Sequence, residues 1–411
     1  MIEKNLRIIF QKSSIFLVLY TSLIIGFILN ENTLGGSIND YYTHKSISQK
    51  FSNNFLETLL YFDKESTRHS PLLLIIFSFF EKFRINDNII RIINLHFLLL
   101  TILFFYKSLK IKFNNYNNFS LYLISLLLFI SPTFRSLSIW PDSRMYGLFF
   151  FVISIYFYLI FIKEKNEKKK FQFAILNTLL LCISSYFSPN FSLYAIFFLI
   201  SFFNYYKISK YFFLICFINF ILSTPALYYI FYLKIYFFFV SVSDAGKSFI
   251  ALNPANKILL ISSIILFYFT PFLFITKNIF KVKKNYIIYL GLIFIICIYF
   301  FNYEISFTGG GIIFKLSNIL FNNNYLFYFF SFLACILIMN LCFKNLNNSL
   351  LITLIILGNP QLEIYHKYYD PMLLIIFFTL FDLNFSKILL KKRIFIFYIF
   401  NFLFLIANIM K

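Results

Sequence analysis

A chain of 411 residues that is 60% hydrophobic, 13% charged and carries 64 Phe and 30 Tyr is not built for water. Its mean hydropathy of +0.79 places it among polytopic helical membrane proteins. The net charge of +21 does not mark a nucleic-acid binder, because the Lys and Arg residues sit in short loops between apolar runs, where they orient helices.

In chain order, Lys4, Arg7 and Lys12 precede an apolar run at 15–29, the pattern of an uncleaved signal anchor. A bilayer core takes about 20 apolar residues per helix. Spans are expected near 14–30, 88–106, 119–132, 145–162, 171–188, 190–204, 211–225, 256–275, 285–302, 325–343, 349–360, 371–384 and 394–410. The expected fold is therefore an all-α integral membrane protein of about 13 transmembrane helices. The cysteines (Cys182, Cys216, Cys297, Cys335, Cys342) lie in or beside these runs without metal-ligand spacing and read as packing residues.

The first external loop is long, about 55 residues, and predicts two helices parallel to the membrane. One covers 46–62, with Ile47, Phe51, Phe55, Leu56, Leu59 and Leu60 on one face. The other covers 71–80. It reaches only about 15 Å, half the hydrocarbon thickness, before Glu81, Lys82 and Arg84 stop it. With an N-terminus in the cytoplasm, the inner loops hold 22 basic and four acidic residues, and the outer side 15 basic and 12 acidic. That asymmetry follows the positive-inside rule. The lysine run within 163–170 then sets orientation.

Four outer segments collect the polar side chains. Asn39-Asp40-Tyr41-Tyr42-Thr43-His44 follows span one. Asp63 to Pro71, with Glu65, Arg68 and His69, opens the short helix. Residues 132–146, a tight outer turn, hold Arg135, Trp140, Asp142, Arg144 and Tyr146. Residues 360–371 hold Glu363, His366, Lys367, Tyr369 and Asp370. His44, His69 and His366 are scattered without metal-ligand spacing. His96 lies within span two and reads as a hydrogen-bonded core residue. Gly309-Gly310-Gly311 reads as a flexible turn, with an anion nest near Lys315 as the sharper reading.

With Asp40 after the first span, His69-Ser70-Pro71-Leu72 before a short apolar helix, and Arg144-Met145-Tyr146 opening the fourth span, the chain resembles the GT-C superfamily of polytopic glycosyltransferases. That group includes the protein O-mannosyltransferase-like and aminoarabinose transferase-like enzymes. The likeness covers roughly residues 10–225, with a weaker echo at 366–371. Asp40 is followed by Tyr41 where the family often carries a second acid, and Ser70 stands where it carries a proline.

The resemblance implies residues 1–225 as a catalytic membrane module and 226–411 as further transmembrane helices of the same membrane domain, with no soluble domain. It implies transfer of a sugar from a polyprenyl-phosphate donor to a lipid, glycan or protein acceptor, on the external face of a bacterial-type cell membrane. An inverting transfer needs a carboxylate to take the acceptor proton and cations where negative charge grows on the leaving phosphate. Asp40 is then the general base, and Arg144, Arg68 and Lys367 are the phosphate ligands. Asp142, His69 and His366 orient substrate, and Tyr41, Tyr42, Tyr146, Tyr369 and Trp140 line or stack on it. No cofactor and no metal ligand set is expected. The rival readings are a lipid-linked glycan flippase, which would carry charges along a path inside its spans, and an O-antigen polymerase or ligase.

Overall fold

The computed structural model describes residues 2–33, 36–65, 67, 69–235, 253–275, 284–304, 309–359, 363–383 and 394–410. Every regular element among them is helical. Packing divides the chain into two units, Met1–Val242 with Leu390–Lys411, and Ser243–Leu389. The division falls later than the expected boundary at 225/226, and the last helix belongs with the first unit.

In that unit, α1 (Ile2–Ile28) ends where Asn30 turns left-handed (φ 54°) and Glu31 N–H closes back on Gly26 C=O at 2.8 Å. The next element, α2 (Ser37–Asn53), starts nine residues earlier than the sequence suggested, so Asp40 stands in a helix's first turn rather than in a loop. Asn54 breaks the predicted 46–62 stripe and α3 (Phe55–Leu60) follows. The break separates two environments. Ile47 and Phe51 are buried against Phe62, Leu74 and Ile235, whereas Phe55, Leu56 and Leu60 are exposed. Proline at its first turn opens α4 (Pro71–Lys82), which packs against α2 and, at 12 residues, is too short to cross a bilayer.

The long helices follow. Asn86 caps α5 (Asp87–Lys112). An interrupted pair comes next: α6 (Asn118–Leu126) with the 3-10 turn Leu127–Ile130, then α7 (Pro132–Ile139), bent by 64° at Ser131. Pro132 lacks the N–H that would continue the helix, and Ser131 Oγ accepts the Phe134 N–H to start the next one. The expected tight outer turn at 132–146 is therefore a correction. The stretch 131–143 is buried throughout, and most of it is α7.

Antiparallel α8 (Ser143–Lys163) and α9 (Glu167–Phe187) form a tightly packed hairpin. Gly147 permits this approach: a Cβ there would lie 2.7 Å from Ser188 Cβ. Next come α10 (Tyr194–Tyr206) and α11 (Lys210–Leu227), the latter extended by a π-helical turn, Tyr228–Tyr232.

The second unit contains α12 (Pro254–Leu273), α13 (Lys284–Tyr299), α14 (Gly311–Phe321), α15 (Tyr325–Lys344), α16 (Leu346–Leu357) and α17 (Met372–Thr379). The helix α14 replaces an expected loop. Gly310 and Gly311 take φ +94° and +79° to start it, and Gly310 N–H donates to Ile364 C=O at 2.9 Å. Returning to the first unit, α18 (Ile394–Ile409) packs on α6 and α7.

Among the described residues, seven helices are long and apolar enough to cross a membrane, eight if the bent pair is one span. The five other expected spans coincide with shorter helices, α10, α13, α16, α17 and α18. This is a multi-pass, all-α membrane architecture.

Candidate functional site

One end of the first unit's helices gathers the polar side chains. The C-terminus of α1 and the N-termini of α5 and α8 meet there, with α2 and α4 packed alongside. Ser70, capping α4, donates to Tyr186 C=O near the end of α9. The opposite end is basic. There Tyr122 donates to Lys12 C=O at 3.2 Å, and Lys163 reaches Ile111 C=O. Within the first unit, these basic residues thus stand at the end of the helices opposite the polar cluster.

At the polar end, Asp142 caps α8. Its Oδ1 accepts the Arg144 backbone N–H at 2.8 Å and the Arg144 Nε–H at 2.9 Å, while its Oδ2 accepts Arg144 Nη2 at 2.6 Å. The same Nη2 reaches Asp40 Oδ2 at 3.2 Å, across 104 residues of sequence. Asp40 and Arg144, expected to act together, do meet. They differ in setting: the Asp40 side chain is 32% exposed, that of Arg144 12% and that of Asp142 1%. Burial alone would raise the Asp142 pKa. The Arg144 guanidinium, by charge and hydrogen bonding, instead holds it well below the usual carboxylate range.

His69 sits beside this group. Its Nδ1 is 2.9 Å from Ser143 Oγ, and its ring meets the edge of His44, one helical turn after Asp40, at 4.3 Å between centroids. Burial first, then the His44 ring and Arg144, push the His69 pKa down to about 3, against the pull of Asp142 and Asp40. The imidazole is therefore neutral at physiological pH.

The other flank of α2 is held separately. Tyr41 donates to Asp87 Oδ1 at 3.3 Å and Lys45 Nζ pairs with the same oxygen at 2.6 Å. Tyr41 is 1% exposed, and burial, then Asp87, raises its pKa. It packs in the core instead of offering a face to substrate; Tyr42, 51% exposed, is the accessible ring. Trp140 is also buried. Arg91 lies 3.7 Å over its ring, Tyr41 and Tyr42 pack around it, and its Nε1–H donates to Glu31 C=O at 3.1 Å. Tyr146 is stacked between Phe97 and Phe187 at 5.5 and 5.4 Å. Arg68 lies outside the described residues.

His366, Lys367 and Tyr369 belong to the second unit. His366 Nδ1 lies 3.2 Å from Tyr268 Oη, Lys367 Nζ lies 5.0 Å from the centre of the Tyr365 ring, and Tyr369 is buried. His96 is hydrogen-bonded as expected, to Tyr20 and to Ile92 C=O, but on the exposed face of α5 rather than in a core. Among the described residues, no group of three or more His, Cys, Asp and Glu side chains is arranged to hold a metal ion.

Sequence reasoning missed the brace beside the site. Arg135 clasps Glu31 through Nε (2.7 Å) and Nη2 (2.5 Å), and also reaches Ser22 and the Phe129 carbonyl. A charged residue inside an apolar run is the signal that could have found Arg91, which stands in the second expected span. Comparison of the chain with family models, with curated proteins and with solved structures finds no match.

Proposed function

We infer that the protein is a membrane glycosyltransferase of the GT-C type. In this reading it moves a sugar from a polyprenyl-phosphate donor to an acceptor hydroxyl at the external membrane face, with inversion. One observation carries this reading: Asp40, in the first turn of α2, shares a guanidinium with the cap of α8. The two carboxylates have environments suited to different tasks. Asp142 is enclosed and makes three contacts to Arg144, so it orients that side chain. Asp40 reaches Arg144 at the longer distance of 3.2 Å and is a third exposed, so it is the carboxylate that a substrate can displace.

A donor phosphate would compete with Asp40 for Arg144, being the denser anion and matched to the guanidinium fork. Displaced, Asp40 regains a free lone pair. The acceptor oxygen then attacks the anomeric carbon, the bond from that carbon to the phosphate oxygen breaks, and the acceptor proton passes to Asp40. Charge that grows on the departing lipid phosphate falls beside Arg144. Neutral His69 adds no competing cation. Tyr42 remains an accessible ring for the sugar. The four helices α1, α5, α8 and α9 are candidate spans, and α2 and α4, lying along the membrane surface, cover the site.

Reconstituted full-length protein, given labelled polyprenyl-phosphate sugars and bacterial membrane lipids, should form a labelled product. Asp40→Asn should abolish it with expression unchanged, and full turnover in that variant would remove Asp40 as the base. Flipping of a lipid-linked glycan is the second reading, favoured by the 64° break between α6 and α7 with Arg135 buried just beyond it. Movement of an intact lipid-linked glycan between leaflets, without any new glycosidic bond, would establish that reading.

A further inference from the structure

At the basic end of the first unit, the fold brings a second lysine turn to the run at 163–170. The turn from α8 to α9 carries Lys163, Lys165, Lys168, Lys169 and Lys170, and the turn from α10 to α11 carries Lys207 and Lys210. The helices leading to the two turns pack together. The Tyr158 and Ser201 hydroxyls are 2.9 Å apart, the Phe161 ring meets Phe202 edge-on at 4.8 Å, and Phe171 lies 4.9 Å from Tyr211. Seven lysines thus share one place with two glutamates.

Both glutamates are engaged locally. Glu164 Oε1 accepts the backbone N–H groups of Lys165 and Asn166 at 2.8 and 3.0 Å, and Glu167 Oε1 accepts the Tyr205 hydroxyl at 2.5 Å. Tyr205 in turn covers Lys170, which is 5% exposed and whose Nζ lies 3.6 Å from the ring centre. Lys170 therefore ties α9 to α10 through a cation–π contact. The lysines around it are open. Lys165, Lys168, Lys169 and Lys207 are exposed and make no ion pair among the described residues.

The second turn has an apolar tip. Lys207 takes φ 52° and ψ −148°, a backbone that glycine adopts more readily, and the next residue, Ile208, is 78% exposed. Ile162, Phe203 and Phe213 are exposed alongside. Ammonium groups beside exposed apolar side chains suit a bilayer surface, where phosphates and acyl chains meet. Three of the four helices, α8, α9 and α11, are long and apolar enough to cross a membrane, so their shared end falls at headgroup depth. A soluble acidic partner would use the cations but not the apolar side chains next to them.

We propose that these two turns together form a binding site for an anionic phospholipid, with its phosphate among Lys168, Lys169 and Lys207 and its acyl chains along the exposed apolar side chains of α11. The site is independent of sugar transfer and is tested without it. A basic end drawn to anionic lipid in general would weight all of its lysines alike. The end of α5 supplies the control, since Lys163 reaches Ile111 C=O there and Lys107, Lys110 and Lys112 stand on its last two turns.

Full-length protein in a neutral detergent is titrated with phosphatidylglycerol or phosphatidylcholine, and bound lipid is counted by native mass spectrometry. The wild type should hold phosphatidylglycerol at least about tenfold more tightly than phosphatidylcholine. The triple variant Lys168→Gln, Lys169→Gln, Lys207→Gln should lose that preference, and Lys168→Arg, Lys169→Arg, Lys207→Arg should keep it. The charge-matched Lys107→Gln, Lys110→Gln, Lys112→Gln should leave it within about twofold. Glycerol phosphate, which has the headgroup charge without acyl chains, should not displace the lipid. A wild type with no preference, a preference that survives the first variant or is lost in the arginine variant, or equal losses in the two glutamine variants would overturn the site. Displacement by glycerol phosphate at the concentration of the lipid would overturn its assignment to a lipid.

Discussion

Two arginine–carboxylate pairs lie in the first unit, and they are built for different work. Arg135 and Glu31 are joined by two short contacts, with side chains 6% and 11% exposed. Arg144 Nη2 and Asp40 Oδ2 lie 3.2 Å apart, with side chains 12% and 32% exposed. The first pair is closed: each partner is neutralised, and Glu31 C=O also receives Trp140. The second is open: Asp142 takes the shorter contacts to Arg144, and Asp40 is the more exposed carboxylate. A buried ion pair is a costly way to gain stability but a strict way to fix geometry. Here the closed pair fixes the polar end of α1 against α7, and the open pair is where substrate can intervene.

The comparison is broken most severely at the closed pair. Glu31→Ala should cost about 3–5 kcal/mol, because Arg135 would keep its charge in a buried setting. Unfolding of the purified protein in micelles measures this, and a loss near zero would mean that the pair is not a brace. At the open pair, Arg144→Ala should reduce donor use at least tenfold, from loss of charge-assisted bonds worth about 1.5–3 kcal/mol. An unchanged donor KM and rate would remove Arg144 from the donor site.

Acid should loosen the same region. His69 titrates near 6.5 in an unfolded chain but only near 3 when folded. Between those values the unfolded state holds the extra proton, so this contribution to stability is complete above pH 6.5 and is lost as pH falls toward 3. Asp142, with its pKa depressed, extends the loss below its ordinary value of 3.8. His69→Gln should flatten the upper part of this dependence, and an unaltered slope would show that His69 is not its source. The smallest expected effect is that of Asp40→Asn on stability, within about 1 kcal/mol, as for other part-exposed ion pairs. A larger loss would make Asp40 structural.

Hydropathy and charge made the membrane class, the long helices and the contrast between the two ends legible before any coordinates. The meeting of Asp40 with Arg144 was expected from the family resemblance, which assigned both to one site, and not from any local pattern. The start of α2 was hidden because Ser37, Asn39, Asp40 and Thr43 look like loop chemistry until something pairs them. Ser37 Oγ does so with Ser136 at 2.7 Å. The burial of α7 was hidden for the same reason. Its Pro, Ser, Thr and Arg suggest an exposed turn, yet Glu31 and Thr33 from the turn after α1 and Asn94 from α5 satisfy its polar groups. Such partners lie 40 or more residues away in sequence, beyond any local pattern. Tyr41 and Trp140 carry the aromatic surface that a sugar site needs, and only packing reveals that Tyr42 is the ring left open.

The claim that joins these observations is that donor phosphate takes Arg144 from Asp40 and so frees the base. Binding of a polyprenyl phosphate to reconstituted wild-type and Asp40→Asn protein, measured beside turnover, tests it most directly. The account requires the variant to bind the lipid phosphate more tightly, since its competitor on Arg144 has lost its charge, while transferring no sugar. Weaker binding in the variant, or turnover that survives the substitution, would contradict it.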